Sequence, residues 1–205
     1  IILIPGMQNK EIIIVLLDRF ADWEAAFLAP ALRGGVMPGH PACCEVKYMT
    51  PDGAPVCSLG GMSVTPDYAA GPLPTECAGV ILAGGLNWDT PEAEKIVPVV
   101  KEARRRGLLV GAICNAASFL AAHGFLNDVR HTGNTVEMLQ KWGGERYTGA
   151  AHYEERQAVR DGNIVTANGS GYLEFTRECL LALDADTTEA IEASYEFNKR
   201  GFYAK

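Results

Sequence analysis

Residues Leu108–Ala117, LLVGAICNAA, change character within a single step. Leu108–Ile113 is an apolar run of strand length, and Asn115–His123 has the small and apolar residues of a helix closed by Gly124. Cys114 stands at the junction, with Ala112 and Ala116 two positions away on either side. This small-x-Cys-x-small pattern is a relative of the G-x-S-x-G elbow. In that elbow a nucleophile occupies a strained strand-to-helix turn, and small neighbours let the chain fold back on itself. The Cys114 thiol is therefore expected at a helix N-terminus, where the dipole favours thiolate and lowers the pKa. A buried structural cysteine is the competing reading of the same residues.

Outward from this elbow, strand-like and helical runs alternate. Glu11–Asp18 (EIIIVLLD) is β-branched and apolar on both faces, as a buried parallel strand is. Asp22–Arg33 follows as a short helix, Val46–Met49 as a strand, and the Gly/Pro-rich stretch Pro51–Pro74 as turns with short hairpin pieces. Gly79–Ala83 (GVILA) is another buried strand, stopped by Gly84-Gly85. The next helix has Thr90 to cap it, Pro91 at its first position, Arg104–Arg106 in its last turn and Gly107 beyond. Glu137–Trp142 belongs to a further helix, and Gln157–Ala167 is a hairpin turning at Asp161-Gly162-Asn163. Helices over about Gly171–Leu183 and Asp186–Lys199 complete the pattern. The alternation predicts one α/β domain with a largely parallel sheet and an antiparallel hairpin edge, with chemistry at the carboxyl ends of the strands.

Composition narrows the function classes. The 205 residues are 48% hydrophobic, and 25 acidic against 18 basic side chains leave a formal charge of −7. An acidic chain without a basic stripe is not expected to bind nucleic acid, and no apolar run has the length of a membrane helix. The six cysteines form no CxxC pair and no zinc-type grouping, so neither metal nor cofactor is expected and most thiols read as reduced, buried fillers. Met7 reads as the natural start, Ile1–Gly6 as an appended remnant, residues 7–205 as the domain, and the location as cytoplasmic.

Two more strand ends carry candidate chemistry. Gly84 or Gly85 can turn a backbone N–H toward a ligand, and with the N–H of Asn115 could form an oxyanion hole. Glu24, just after the first strand, is either a surface glutamate or a carboxyl pointed at the crevice of Cys114. Trp23 and Trp88 flank that crevice in sequence and could wall it, although core packing is the plainer role.

Taken together, Asp22-Trp23-Glu24, Ala83-Gly84-Gly85, Ala112-Ile113-Cys114-Asn115-Ala116 and the tail Asp161–Ala167 followed by Gly169, Gly171 and Glu174-Phe175 resemble the ThiJ/PfpI superfamily. This is the class I glutamine-amidotransferase-like group that includes the parkinsonism-associated protein deglycase. The resemblance implies a flavodoxin-like three-layer sandwich with a nucleophile elbow carrying Cys114. It also implies that Glu24 hydrogen-bonds the thiol or its sulfenate, and that the chain forms homodimers. One departure matters: protease-like members have histidine after the cysteine, whereas here it is Asn115, which has no titratable proton near neutrality. His131, after a probable strand, could reach the crevice as a substitute base, and His152 is a weaker candidate. His123 reads as a helix C-terminal cap and His40 as an exposed loop residue.

The function expected is that of a cysteine-dependent hydrolase or lyase, protease/amidase-like or glyoxalase/deglycase-like, acting on a small polar or carbonyl substrate. Cys114 attacks, Gly85 and Asn115 hold the oxyanion, and Glu24 supplies or stores a proton. The alternatives are a redox or electrophile sensor using the same oxidisable thiol without turnover, as in oxidative stress, and a chaperone-like binding protein.

Overall fold

A computed structural model of the chain describes residues 9–203; the expectation for Ile1–Gly6 lies outside the described residues. The elements, in chain order, are β1 (Glu11–Val15), α1 (Leu28–Gly34), β2 (Glu45–Thr50), β3 (Val56–Cys57), β4 (Ser63–Val64), β5 (Tyr68–Ala69), β6 (Cys77–Leu82), α2 (Val97–Arg105), β7 (Leu109–Ile113), α3 (Asn115–Ala122), α4 (Val136–Gly143), β8 (Ala158–Asp161), β9 (Ile164–Ala167), α5 (Tyr172–Ala182) and α6 (Thr188–Arg200). Seven strands form one sheet in the order β5-β2-β1-β6-β7-β9-β8, and β3 and β4 pair as a separate small hairpin. Every pairing in the large sheet is parallel except β8 with β9. This is the doubly wound, flavodoxin-like α/β arrangement the sequence predicts, hairpin edge included.

Strand alternation divides the core between two faces. Ile12, Ile14, Ile81, Leu109, Ile113 and Val165 face α1, α5 and α6. Ile13, Val15, Val80, Leu82, Val110 and Ala112 face α2, α3 and α4. The result is a three-layer sandwich whose central strands are almost wholly buried. No helix among the described residues is long and apolar enough to cross a membrane.

Prolines account for two differences from the predicted helices. α1 begins at Leu28 rather than Asp22. A start at Asp22 would bury Pro30 mid-helix, without an N–H and against the carbonyl four residues back; a start at Leu28 leaves it in the first turn. Thr90 and Pro91 likewise do not open a continuous helix. Ala93–Ile96 is a 3-10 turn, α2 starts at Val97 with Pro98 in its first turn, and the Thr90 hydroxyl donates to the Asn87 carbonyl at 2.8 Å instead of capping. Gly107 and Gly124 do adopt the left-handed φ expected of helix stops, at 66° and 72°. The sheet also extends further than expected: β5, within the Gly/Pro-rich stretch, adds a parallel edge to β2.

Gly111 shows how tightly the upper layer sits on β7. A Cβ there would lie 2.7 Å from Ile81 Cδ1 and 3.0 Å from Phe175 Cζ. Gly111→Ala is therefore expected to destabilise the fold by about 1–3 kcal/mol through overpacking beneath α5, measured as a lower denaturant midpoint at unchanged slope.

Candidate active site

The sheet order reverses direction between β1 and β6, and the crevice at their carboxyl ends is where α/β sheets place ligands. Cys114 enters this crevice from the end of β7. Its N–H donates to the Ala167 carbonyl of β9 at 2.9 Å, extending the ladder by one rung, and its own carbonyl accepts the Ala117 N–H at 3.0 Å to open α3. The chain must turn within this one residue, and it does so at φ 61°, ψ −127°, a strained conformation for a side chain with a Cβ. Ala112 and Ala116 are fully buried on either side, as the elbow pattern requires.

Glu24 reaches the same place from the turn after β1. The Asp22 carboxylate accepts the Ser58 hydroxyl at 2.5 Å and the Gly60 N–H at 2.9 Å, and the Glu24 N–H donates back to the Ala21 carbonyl at 3.3 Å. The turn so fixed sends the Glu24 side chain inward, leaving the residue 1% exposed. It closes on Cys114 between two glycines. A Cβ on Gly84 would lie 2.3 Å from Glu24 Oε2 and 2.7 Å from Cys114 Cβ, and one on Gly169 would lie 3.1 Å from the sulfur and 3.5 Å from Glu24 Oε1. The thiol and the Gly84 amide both act on the carboxyl, but neither of its oxygens completes a well-formed hydrogen bond.

Asparagines surround the sulfur on the other side. Asn134 Nδ2 donates to Cys114 Sγ at 3.4 Å and lies 3.5 Å from Asn115 Oδ1, while its Oδ1 accepts the Gly169 N–H at 2.9 Å. The Asn115 side chain donates to the Gly85 carbonyl at 2.8 Å, and its backbone N–H is directed at the sulfur. The bonds Leu86 N–H to Arg19 carbonyl and Ala21 N–H to Gly84 carbonyl tie this loop to the turn after β1 and bypass the Gly85 amide. Trp23 is 44% exposed and its indole donates to the Gly169 carbonyl at 3.0 Å, fastening the loop that covers the sulfur.

Cys114, Glu24, Gly84, Gly85 and Asn115 thus converge. His131 does not join them. It is fully buried, with Nδ1 2.7 Å from the Val129 carbonyl and Nε2 2.6 Å from the Tyr147 hydroxyl, so both ring nitrogens are committed to packing the segment before α4. His123 bonds Glu94 and His40 bonds Asp186, the latter only half-exposed; His152 is exposed. Trp88 is a core residue, 2% exposed, with its indole on the Ala83 carbonyl. Asn134 is the site residue the sequence reading passed over in favour of His131. Its signal was an amide directly before Thr135, which caps α4 by accepting the Met138 N–H at 3.1 Å and so places Asn134 at the loop tip.

The electrostatics reverse one expectation. Burial pushes the Glu24 carboxyl up to about 7. Burial, then the charge on Glu24, push the Cys114 thiol up to about 11, against the downward pull of Asn134 and the Asn115 amide. The dipole argument for a depressed thiol pKa is overridden because the elbow removes the sulfur from water and sets a carboxylate beside it. The two groups compete for one proton, so ionisation of either one raises the other.

Two stability measurements follow from this geometry. Glycine removes the strain at φ 61°, so Cys114→Gly should be more stable than Cys114→Ala by about 1 kcal/mol in denaturant titrations, even after glycine's extra chain entropy. The folded pKa of Glu24 lies above its ordinary 4.5, so its contribution is complete below about 4.5 and is lost as pH rises through about 7. Glu24→Gln should flatten the stability–pH curve over that window, removing a decline of about 3 kcal/mol at most.

Comparison with known proteins agrees with this architecture. The DJ-1/PfpI family profile matches residues 10–182. The chain is 36% identical over 194 residues to the uncharacterized protease YdeA of Bacillus subtilis, covering 95% of this chain and 93% of that one. Among solved structures it is similar to the DJ-1 superfamily protein Atu0886 from Agrobacterium tumefaciens, with 41% identity, TM-score 0.82 and coverage of 92% and 97% of the two chains. It is also similar to a thiJ/pfpI family protein from Bacillus anthracis, with 31% identity, TM-score 0.86 and coverage of 95% and 92%. With the profile spanning most of its length and the elbow, glycines and glutamate in place, the chain belongs to the DJ-1/PfpI family.

Proposed function

We propose that this protein is a cysteine-dependent hydrolase or lyase acting on a small, polar, carbonyl-bearing substrate through Cys114 and Glu24. The observation that carries the reading is the buried Glu24 carboxyl packed against a thiol held at a strained elbow. In this reading the thiol proton passes to the Glu24 carboxylate as sulfur attacks the carbonyl carbon. A C–S bond forms, the carbonyl π pair moves onto oxygen, and the Gly85 and Asn115 N–H groups hold that oxygen. Glu24 then returns the proton to the oxygen or to a departing group. A glutamate near pKa 7 suits both directions of transfer at neutral pH.

Relatives named as uncharacterized proteases support a hydrolase-like role in general. No hydrogen bond joins any histidine to Cys114 among the described residues, so in this reading both the base and the acid roles fall to Glu24. We read residues 7–205 as one cytoplasmic domain that assembles as a homodimer, with no cofactor and no nucleic-acid partner. A second reading, a redox sensor, draws on the Asn134 amide and the Asn115 N–H directed at the sulfur, since a sulfinate needs such donors.

Steady-state assays with methylglyoxal and with chromogenic amides test the choice. Turnover of the aldehyde is expected, abolished in Cys114→Ser and lowered about 100-fold or more in kcat by Glu24→Gln. Absence of turnover on both substrates, with clean oxidation of Cys114 by dilute peroxide, would assign the sensor role instead.

A further inference from the structure

We propose that Asn134 is a further catalytic residue: its side-chain amide donates to Cys114 Sγ and draws the proton that sulfur shares with Glu24 onto the carboxyl. The inference rests on the reading of Cys114 as the reacting atom, and it holds for a hydrolase and for a sensor alike. Asn134 Nδ2 lies 3.4 Å from Cys114 Sγ, 3.5 Å from Asn115 Oδ1 and 3.9 Å from Met138 Sδ, while its Oδ1 accepts the Gly169 N–H at 2.9 Å. These contacts fix which way the amide faces. Flipped, its oxygen would meet three acceptors and its nitrogen would meet a donor. A hydrogen is therefore presented to the sulfur.

The segment that carries Asn134 is held in place on both sides. The Thr132 N–H donates to Thr166 Oγ1 at 2.8 Å, the Thr132 hydroxyl to the Arg156 carbonyl at 2.9 Å and the Tyr153 hydroxyl to the Gly133 carbonyl at 3.3 Å. Thr135 then opens α4 by accepting the Met138 N–H at 3.1 Å. Gly133 lets the segment lie against that helix, since a Cβ there would stand 2.6 Å from Leu139 Cδ1. An amide anchored in this way needs no reorganisation when charge reaches the sulfur.

Glu24 is the titratable group acting on the sulfur. Among the described residues, α3 brings Asn115, the start of α4 brings Asn134 and Met138, and the loop after β9 brings Gly169. His131, on the same segment as Asn134, is held by the Val129 carbonyl and the Tyr147 hydroxyl. Above the carboxyl value of about 7 and below the thiol value of about 11, the pair holds one proton in two arrangements. In one the thiol is neutral and Glu24 is charged. In the other the proton has crossed to a Glu24 oxygen and the sulfur carries the charge, so net charge is unchanged and no other reactant is needed. Burial and the Glu24 charge favour the neutral thiol. The Asn134 hydrogen bond favours the second arrangement, because a thiolate accepts it more strongly than a thiol does.

The test is the rate of Cys114 alkylation by iodoacetamide in the full chain, read by peptide mapping from about pH 5 to about pH 10. The wild-type rate should rise near pH 7 and then level into a plateau whose height is the thiolate share. Glu24→Gln should remove that rise. Asn134→Ala should lower the plateau about 10-fold and leave the position of the rise in place. Asn134→Asp retains an acceptor for the Gly169 N–H but loses the donor, and should lower the plateau further. The sign excludes a merely structural role, since a loosened loop would admit water and raise the thiolate share. A plateau at or above the wild-type height in either variant would overturn the proposal, as would a wild-type rate that climbs steadily without a plateau. Failure of the underlying reading looks different: Cys114 would resist alkylation at every pH in all four proteins, which overturns both.

Discussion

The enclosure of the Glu24 carboxyl against the Cys114 thiol is the constraint to which the surrounding structure conforms. A carboxyl that is 1% exposed needs walls close enough to exclude water and small enough to leave it room. Gly84 and Gly169 are those walls, and a methyl group at either position would press on the carboxyl or the sulfur. The turn that aims Glu24 inward is anchored on the far side by Asp22 accepting Ser58 and Gly60, so the β3–β4 region is fastened to the site through one aspartate. Loops after β1, β6, β7 and β9 thereby act as one unit, although they are distant in sequence.

This enclosure also sets the proton chemistry. In water a cysteine at a helix N-terminus would keep a thiolate, but here sulfur and carboxyl are removed from solvent together and cannot both be charged cheaply. Burial and the neighbouring Glu24 charge therefore favour the neutral thiol. Asn134 and the Asn115 N–H lower the cost of sulfur's negative charge without bringing a second titratable group near it. Asn115, where a histidine would be a base, instead ties the elbow to the Gly85 carbonyl.

The six cysteines show how much tertiary context decides. Cys43, Cys44, Cys77 and Cys179 are all buried: a backbone carbonyl occupies Cys77, and Cys43, Cys44 and Cys179 pack within one apolar core. Cys114 alone stands at a strand end beside a carboxyl.

By itself the sequence determined the layer architecture, because strand period, β-branched content and glycine stops are local properties that survive in the fold. The same holds for Cys114, whose alanine neighbours and abrupt strand-to-helix change are written within ten residues, and for the Asp161–Asn163 turn. The starts of α3 at Asn115 and of α5 near Gly171 were legible, whereas those of α1 and α2 were misplaced because Pro30 and Pro98 were not given their full weight. The tertiary structure alone decided which polar groups meet the sulfur. His131 and Asn134 are three residues apart on one segment, and it is the Tyr147 hydroxyl and the Gly169 amide, each far along the chain, that turn the histidine away and the asparagine in. The sign of the thiol shift was likewise beyond local reading. The helix dipole is visible in sequence, whereas burial and the approach of Glu24 exist only once four strand ends have been brought together.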